Sequence, residues 1–168
     1  MSRVVLFVNE YGERPRAAAG EQGTPYPAPR EVLAWPNERA LPDRSELSAA
    51  ADAVFPVFSA AHDGRAHDEL NGLLRSVRLS PVTTASGLRW AVETSGELLL
   101  AALGTCLLGW LGDHEQNRLG TCHAAKCVDV YADASPAARR RFCSSTCLNR
   151  HKVAAHRQRS AAKRADSS

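Results

Sequence analysis

Four cysteines in the last third of the chain have types and spacing suited to chemistry. Cys122 and Cys127 enclose four residues, Cys143 and Cys147 enclose three, and fifteen residues separate the two pairs. Each close pair can bite one ion from a tight turn, and the insert lets the chain return for the second bite. That pattern fits four thiolates set tetrahedrally around one Zn²⁺. The competing chemistry is a pair of disulfides, which needs an oxidising compartment. The opening run Val4–Val8 supplies five apolar residues before polar ones resume, too short for a signal-peptide core. The expectation is therefore a cytoplasmic setting, reduced thiols and zinc.

Four thiolates close the metal's shell, so the ion is expected to be structural rather than catalytic. His123 follows Cys122 directly and could replace a cysteine as ligand, although a solvated residue is the expected reading. Cys106 stands in the apolar run Leu98–Leu111, where a cysteine is expected to be a small buried hydrophobe. Residues 1–117 offer His62-Asp63 and His67-Asp68-Glu69, both at expected helix ends, and no nucleophile elbow, phosphate-cradling glycine loop or zinc-hydrolase motif. An enzyme is not expected.

Charge divides the chain in the same place as the cysteines. Residues 1–117 hold ten Lys/Arg against fifteen Asp/Glu, and residues 118–168 hold eleven against three. The overall charge of +3 thus conceals a body of −5 and a C-terminal segment of +8. A basic segment on an acidic body is the electrostatic footprint of nucleic-acid binding; the alternatives are a solvated basic helix or a patch for anionic lipid. Zinc in the same segment favours nucleic acid. The longest apolar stretch, Leu98–Leu111, has fourteen residues, short of the ~20 that span a bilayer.

The elements that must position the cysteines can be read from periodicity and punctuation. Residues 12–30, rich in glycine and proline, are expected to be a flexible loop. A short helix over Pro29–Trp35 would end at Pro36. Asp43 and Glu46 have capping-box spacing ahead of Leu47, Ala51, Val54, Phe58 and Ala61, which recur on one helical face; Pro56 should kink that helix and Asp63-Gly64 stop it. Leu70, Leu73, Leu74 and Val77 mark a second amphipathic helix. Residues 81–92 alternate around Ser86-Gly87 as a short hairpin, and Ser95 should cap a central buried helix over Leu98–Leu111. In the cysteine segment, Val128–Asp133 reads as one strand and Arg139–Phe142 as its return, with Ser144 or Ser145 capping a helix whose first turn carries Cys147. Knuckle, hairpin and helix together make a treble-clef-like finger, and the fold class is mainly α.

Arg139–Arg157, with Cys147-Leu148-Asn149-Arg150 at its centre, resembles the CGNR zinc-finger family of bacterial regulators; Leu148 stands where the family has glycine. The resemblance is specific over about residues 118–159. Members pair this finger with an N-terminal helical ABATE domain and are proposed to be stress-induced transcription regulators. The resemblance thus implies an ABATE-like domain over 1–117, a finger over 118–160 and a disordered tail over 161–168. It also implies an unidentified small ligand for the N-terminal domain. Leu70-Asn71-Gly72-Leu73-Leu74 and Phe7-Val8-Asn9 carry the weaker N-terminal part of the match.

On the expected helix, Arg150 and Arg157 lie seven apart, and Lys152 and Arg159 form a neighbouring stripe, an arrangement suited to a DNA major groove. Arg139, Arg140 and Arg141 would grip phosphates. The bland readings are a solvated turn for these three and structural bonding within the finger for Asn149 and Arg150. Double-stranded DNA is the expected partner, in a transcription regulator that uses a homodimer to gain contacts. A protein- or RNA-binding module is the alternative.

Overall fold

Asp43 and Glu46 start the helix around which the molecule packs. Asp43 accepts a hydrogen bond from the Glu46 backbone at 2.9 Å, and the Glu46 carboxylate accepts one from the Asp43 backbone at 2.7 Å. This closed box satisfies two N–H groups that the first turn would otherwise leave bare. The computed structural model describes residues 1–33, 41–93 and 95–165. It is mainly helical, with two small antiparallel hairpins.

The helices are α1 (Ser2–Tyr11), α2 (Glu13–Ala19), α3 (Pro29–Leu33), α4 (Arg44–Ser59), α5 (Ala66–Ser76), α6 (Leu98–Asp113) and α7 (Ser145–Ala165). The strands are β1 (Leu79–Thr84), β2 (Gly87–Val92), β3 (Leu119–Thr121) and β4 (Val130–Ala132). Among the described residues no helix is long and apolar enough to cross a membrane.

The central helix is α4, not the apolar α6. Helix α4 buries Leu47, Ala50, Ala51, Val54, Phe55, Val57 and Phe58, and packs against α1, α2, α5, α6, β3 and β4. It runs one short step past Pro56 to Ser59. Helix α6 buries Leu99, Leu103, Gly104, Leu107 and Leu111 but turns Ala102, Cys106 and Leu108 to solvent. Cys106 is therefore exposed, contrary to the expectation from its apolar neighbours. A uniformly apolar helix carries no periodicity to say which side is covered. Ser95 lies in a 3-10 turn (Ser95–Glu97), and Glu97 rather than Ser95 precedes α6.

Residues 12–30 are not a plain loop. Helix α2 occupies their first half, its Glu13 N–H donating to Asp52 of α4 at 2.9 Å. Gly20 closes α2 at φ 77°, a left-handed conformation that glycine adopts without a Cβ penalty. The following Gly/Pro stretch wraps the buried Arg16, whose guanidinium donates to the carbonyls of Glu10, Glu21 and Thr24 and stacks on the Tyr26 ring at 3.9 Å. A buried charge needs this full set of acceptors. The short helix α3 matches its expected start; Pro36 lies outside the described residues.

The hairpin β1–β2 is closed by Ala85-Ser86, with Pro81 opposite Trp90 and Thr83 opposite Leu88. Opposed residues share a face, so Leu79, Pro81, Leu88, Trp90 and Val92 form one apolar side. Leu88 and Trp90 are 63% and 47% exposed, and the ribbon stands largely in solvent.

The second ribbon ties the cysteine segment to the helices. Strands β3 and β4 pair antiparallel, and Leu119 and Val130 are fully buried in the same core as Val4, Phe7, Val54 and Phe58. Asn9 of α1 clamps β4 on both backbone groups of Val130: its amide nitrogen donates to the carbonyl at 3.1 Å and its oxygen accepts from the N–H at 2.7 Å. Packing thus continues across the expected boundary at residue 117. Replacing Asn9 by Ala should leave two partly buried backbone groups unpaired and cost about 1–3 kcal/mol in urea unfolding. Leu119→Ala should cost about 2–5 kcal/mol by opening a cavity in the shared core. A loss near zero for both, measured by the unfolding midpoint, would mean that β3 and β4 do not belong to the core.

Candidate metal centre

Two backbone turns and one helix start bring the four thiols together. Cys122 follows β3 directly, and its N–H donates to the Asp129 carbonyl at 2.8 Å. The chain then reverses through residues 123–126 to Cys127, whose N–H reaches back to the Ala124 carbonyl at 3.2 Å. Lys126 sits at φ 60°, in the left-handed region. A residue with a Cβ pays about 1 kcal/mol there, the cost of so tight a reversal between two ligands. Cys143 lies just before α7, and Cys147 is in its first turn. Ser144 is the cap: its hydroxyl accepts from the Cys147 N–H at 3.2 Å, and its carbonyl from the Leu148 N–H at 3.1 Å.

All four sulfurs lie within 4.8 Å of one another. Cys127 and Cys143 are 3.8 Å apart, Cys143 and Cys147 3.5 Å. A tetrahedral Zn²⁺ with bonds of ~2.3 Å has sulfur–sulfur edges of ~3.8 Å, so the donor set fits such an ion closely. All five cysteines are free. The four clustered thiols could hold a metal ion, as in a zinc finger.

Without a cation the cluster resists ionisation. Burial pushes the Cys127 thiol up to about 12, with the Asp129 carboxylate and neighbouring thiols adding to the rise. Burial, then the contact with Cys147, raises Cys143 as well. Burial also acts on Cys147, but hydrogen bonds from Cys143 and Ser144 overcome it and lower that thiol. A divalent cation binding here would have to displace thiol protons to reach four thiolates.

The arginines predicted to meet DNA divide into two groups. Arg140 is exposed but engaged by the finger's own backbone: its Nε donates to the Phe142 carbonyl at 3.0 Å, Nη1 to the Ala132 carbonyl at 3.3 Å, and Nη2 to the Cys143 carbonyl. Its backbone N–H donates to Asp133 at 2.8 Å. Arg150 donates from Nη2 to the Cys147 sulfur at 3.4 Å, offsetting the negative charge that a four-thiolate site accumulates. Arg141 is exposed and reaches His123 Nδ1 at 3.2 Å. Arg139, Asn149, Lys152 and Arg157 are exposed, with no hydrogen-bond partner among the described residues. His123 lies outside the cysteine cluster, edge-on to His62 at 5.8 Å.

Sequence reasoning missed Asp133. Buried between Arg118 and the turn, it accepts from the backbone N–H groups of Ser135 (2.9 Å) and Arg140 (2.8 Å). Burial works against its charge, yet these hydrogen bonds and the nearby Arg118 hold the carboxyl below its usual range. The signal was present as Asp133-Ala134-Ser135, an Asx-turn pattern. The expected return strand over Arg139–Phe142 does not form. Strand β4 pairs instead with β3, which precedes the first cysteine, because the Asp133 turn and Arg140 direct the chain straight to α7.

The family model of the CGNR zinc finger matches residues 118–160. This stretch is similar to a CGNR zinc finger. No curated protein matches the chain. Within the finger, the asparagine and arginine of the motif have different settings: Asn149 faces solvent, whereas Arg150 braces a metal-site sulfur.

Two outcomes are expected. Because the thiolate is the ligand and at least Cys127 and Cys143 start protonated, protons compete with the metal, and affinity falls as pH falls. Competition with a chromophoric chelator between about pH 6 and 8 should show the constant falling by at least about 100-fold per pH unit as pH falls. A flat profile would exclude thiol displacement. Arg150→Ala should weaken the metal by about 10–100-fold, with partial rescue in Arg150→Lys, in the same assay.

Proposed function

We propose that the finger holds one structural Zn²⁺ and that α7 is the DNA-reading element of a transcription regulator. The observation that carries this reading is α7 itself. It has 21 residues, about 31 Å at 1.5 Å per residue, and contains no acidic side chain. It is fastened at its first turn through buried Cys147, while Val153 is half exposed and Lys152, His156, Arg157 and Arg159 lie in solvent. A helix polar on nearly every side has little reason to stand alone in water unless a partner of opposite charge completes it. Duplex DNA has that charge, and its major groove has the width for one helix.

In this reading the helical body acts as the ABATE-like sensing or dimerising domain, and two copies supply the contacts that one finger lacks. The zinc has no open coordination position, so we assign no catalysis to it. The exposed apolar side of the β1–β2 ribbon favours a second reading, in which the finger stabilises a protein-interaction module. Association with duplex DNA should weaken steeply with salt if phosphates supply the affinity. For the zinc-loaded chain, Arg139→Ala with Arg141→Ala should lower the slope of log affinity against log salt by up to about two and weaken all duplexes alike. Arg140→Ala should act differently, loosening the metal through the lost carbonyl contacts. Absence of any salt-dependent duplex binding by the zinc-loaded protein would leave the protein-interaction reading.

A further inference from the structure

We propose that α7 reads bases through the strip Asn149–Val153–His156, and that Lys152 and Arg159 on one flank and Arg157 on the other contact the phosphates of the two DNA strands. The inference rests on the DNA-binding reading above and assigns the roles within it; it moves the base-reading role away from Arg150 and Arg157.

The finger fixes which side of α7 is inward. Cys147 is buried, the His151 ring packs 5.1 Å from the Phe142 ring, and Leu148 and Ala155 are half-buried. Arg150 bends back onto the Cys147 sulfur. At about 100° per residue, these positions cover one continuous side of the first three turns. The side diametrically opposite carries Asn149, Val153 and His156, spaced four and three residues apart as neighbours on one helical face. All three are exposed, and neither Asn149 nor His156 has a polar partner among the described residues.

Charge brackets this strip on both sides. Lys152 and Arg159, seven residues apart, stand about a fifth of a turn to one side of it, and Arg157 a similar angle to the other. A helix lying in a groove has the same layout: a central line faces the base edges, and the two shoulders face the two backbones. Short or apolar side chains suit the floor, and long cations suit the walls.

The floor residues have chemistry to read with. An asparagine amide pairs bidentately with adenine, valine methyls meet the thymine methyl, and an imidazole donates to guanine O6 or N7. From Asn149 to His156 the helix advances about 10 Å, the height of about three stacked base pairs. The strip therefore fits three successive base pairs, with adenine contacted by Asn149, thymine by Val153 and guanine by His156.

The test uses the full zinc-loaded chain. Selection from a randomised duplex pool identifies the preferred site, and anisotropy at fixed salt gives affinities for that site and for a scrambled duplex. Asn149→Ala with His156→Ala should reduce the ratio of the two affinities by about tenfold or more, while affinity for the scrambled duplex stays within about twofold. Lys152→Ala with Arg159→Ala should lower both affinities together and leave the ratio intact. Asn149→Ser and His156→Gln, which keep a polar reader on the same exposed positions, should shift the selected bases rather than abolish selection. Bound zinc and helical circular dichroism are measured on every variant. A ratio unchanged by the Asn149/His156 pair but collapsed by Arg157→Ala overturns the assignment. So does wild-type protein that binds all duplexes equally, although DNA binding itself then stands. Failure of wild-type protein to bind any duplex removes the underlying reading instead.

Discussion

Four thiols within 4.8 Å of one another can become four thiolates together only if a cation balances their charge. Neutral, they fill a pocket with weak donors; ionised, they repel one another. With a metal they become a cross-link among three stretches of backbone that have few apolar contacts of their own. The satellite core around them holds little beyond Cys122, Ala124 and Cys147 with Phe142 against it. So small a core offers little to order a turn at Lys126, a return loop and a helix start, and the binding energy of an ion held by the four cysteines would substitute for burial. The hydrogen-bond partners around the site, Ser144, Arg140 and Arg150, then decide how the helix leaves it.

Local signals were legible where a side chain bonds its own neighbourhood. The Asp43–Glu46 box, the hairpin turn before Gly87 and the cysteine spacing all announce themselves within a few residues, and the structure contains each. What was not legible depends on long-range neighbours. Nothing local says that Arg16 will be buried, because two of its carbonyl acceptors, Glu21 and Thr24, lie on a Gly/Pro stretch with no periodicity. Nothing in an all-apolar run says that Cys106 faces outward. The arginines around the site are the sharpest case: side chains that look alike in a basic sequence tether backbone or sulfur at 140 and 150 and have no hydrogen-bond partner among the described residues at 139 and 157. Only the positions of carbonyls and sulfur separate them.

The return from β4 to α7 shows how one carboxylate can replace a strand. Periodicity suggested that Arg139–Phe142 would pair with Val128–Asp133, which requires a run of interstrand hydrogen bonds. Asp133 instead gathers two backbone N–H groups, and Arg140 gathers three carbonyls from Ala132, Phe142 and Cys143. Together they satisfy the polar backbone of this irregular loop without a ladder. That leaves β4 free to pair with β3 and to offer its other edge to Asn9.

The bidentate hold of Asn9 on Val130 bears on how such a chain can be taken apart and recombined. The matched segment looks like a transferable cassette, yet its first third is stitched to α1 and α4. A foreign finger spliced in at residue 118 would arrive with a strand unmatched to the host's asparagine and a side chain at 119 unfitted to the host's interior. Residues 152–160 of α7, by contrast, lie mostly in solvent, and an exchange there disturbs neither interior nor metal. If α7 reads DNA as proposed, divergence of the recognised sequence can proceed by changing the outer helix while the stitched portion stays constant, so that targets drift faster than architecture.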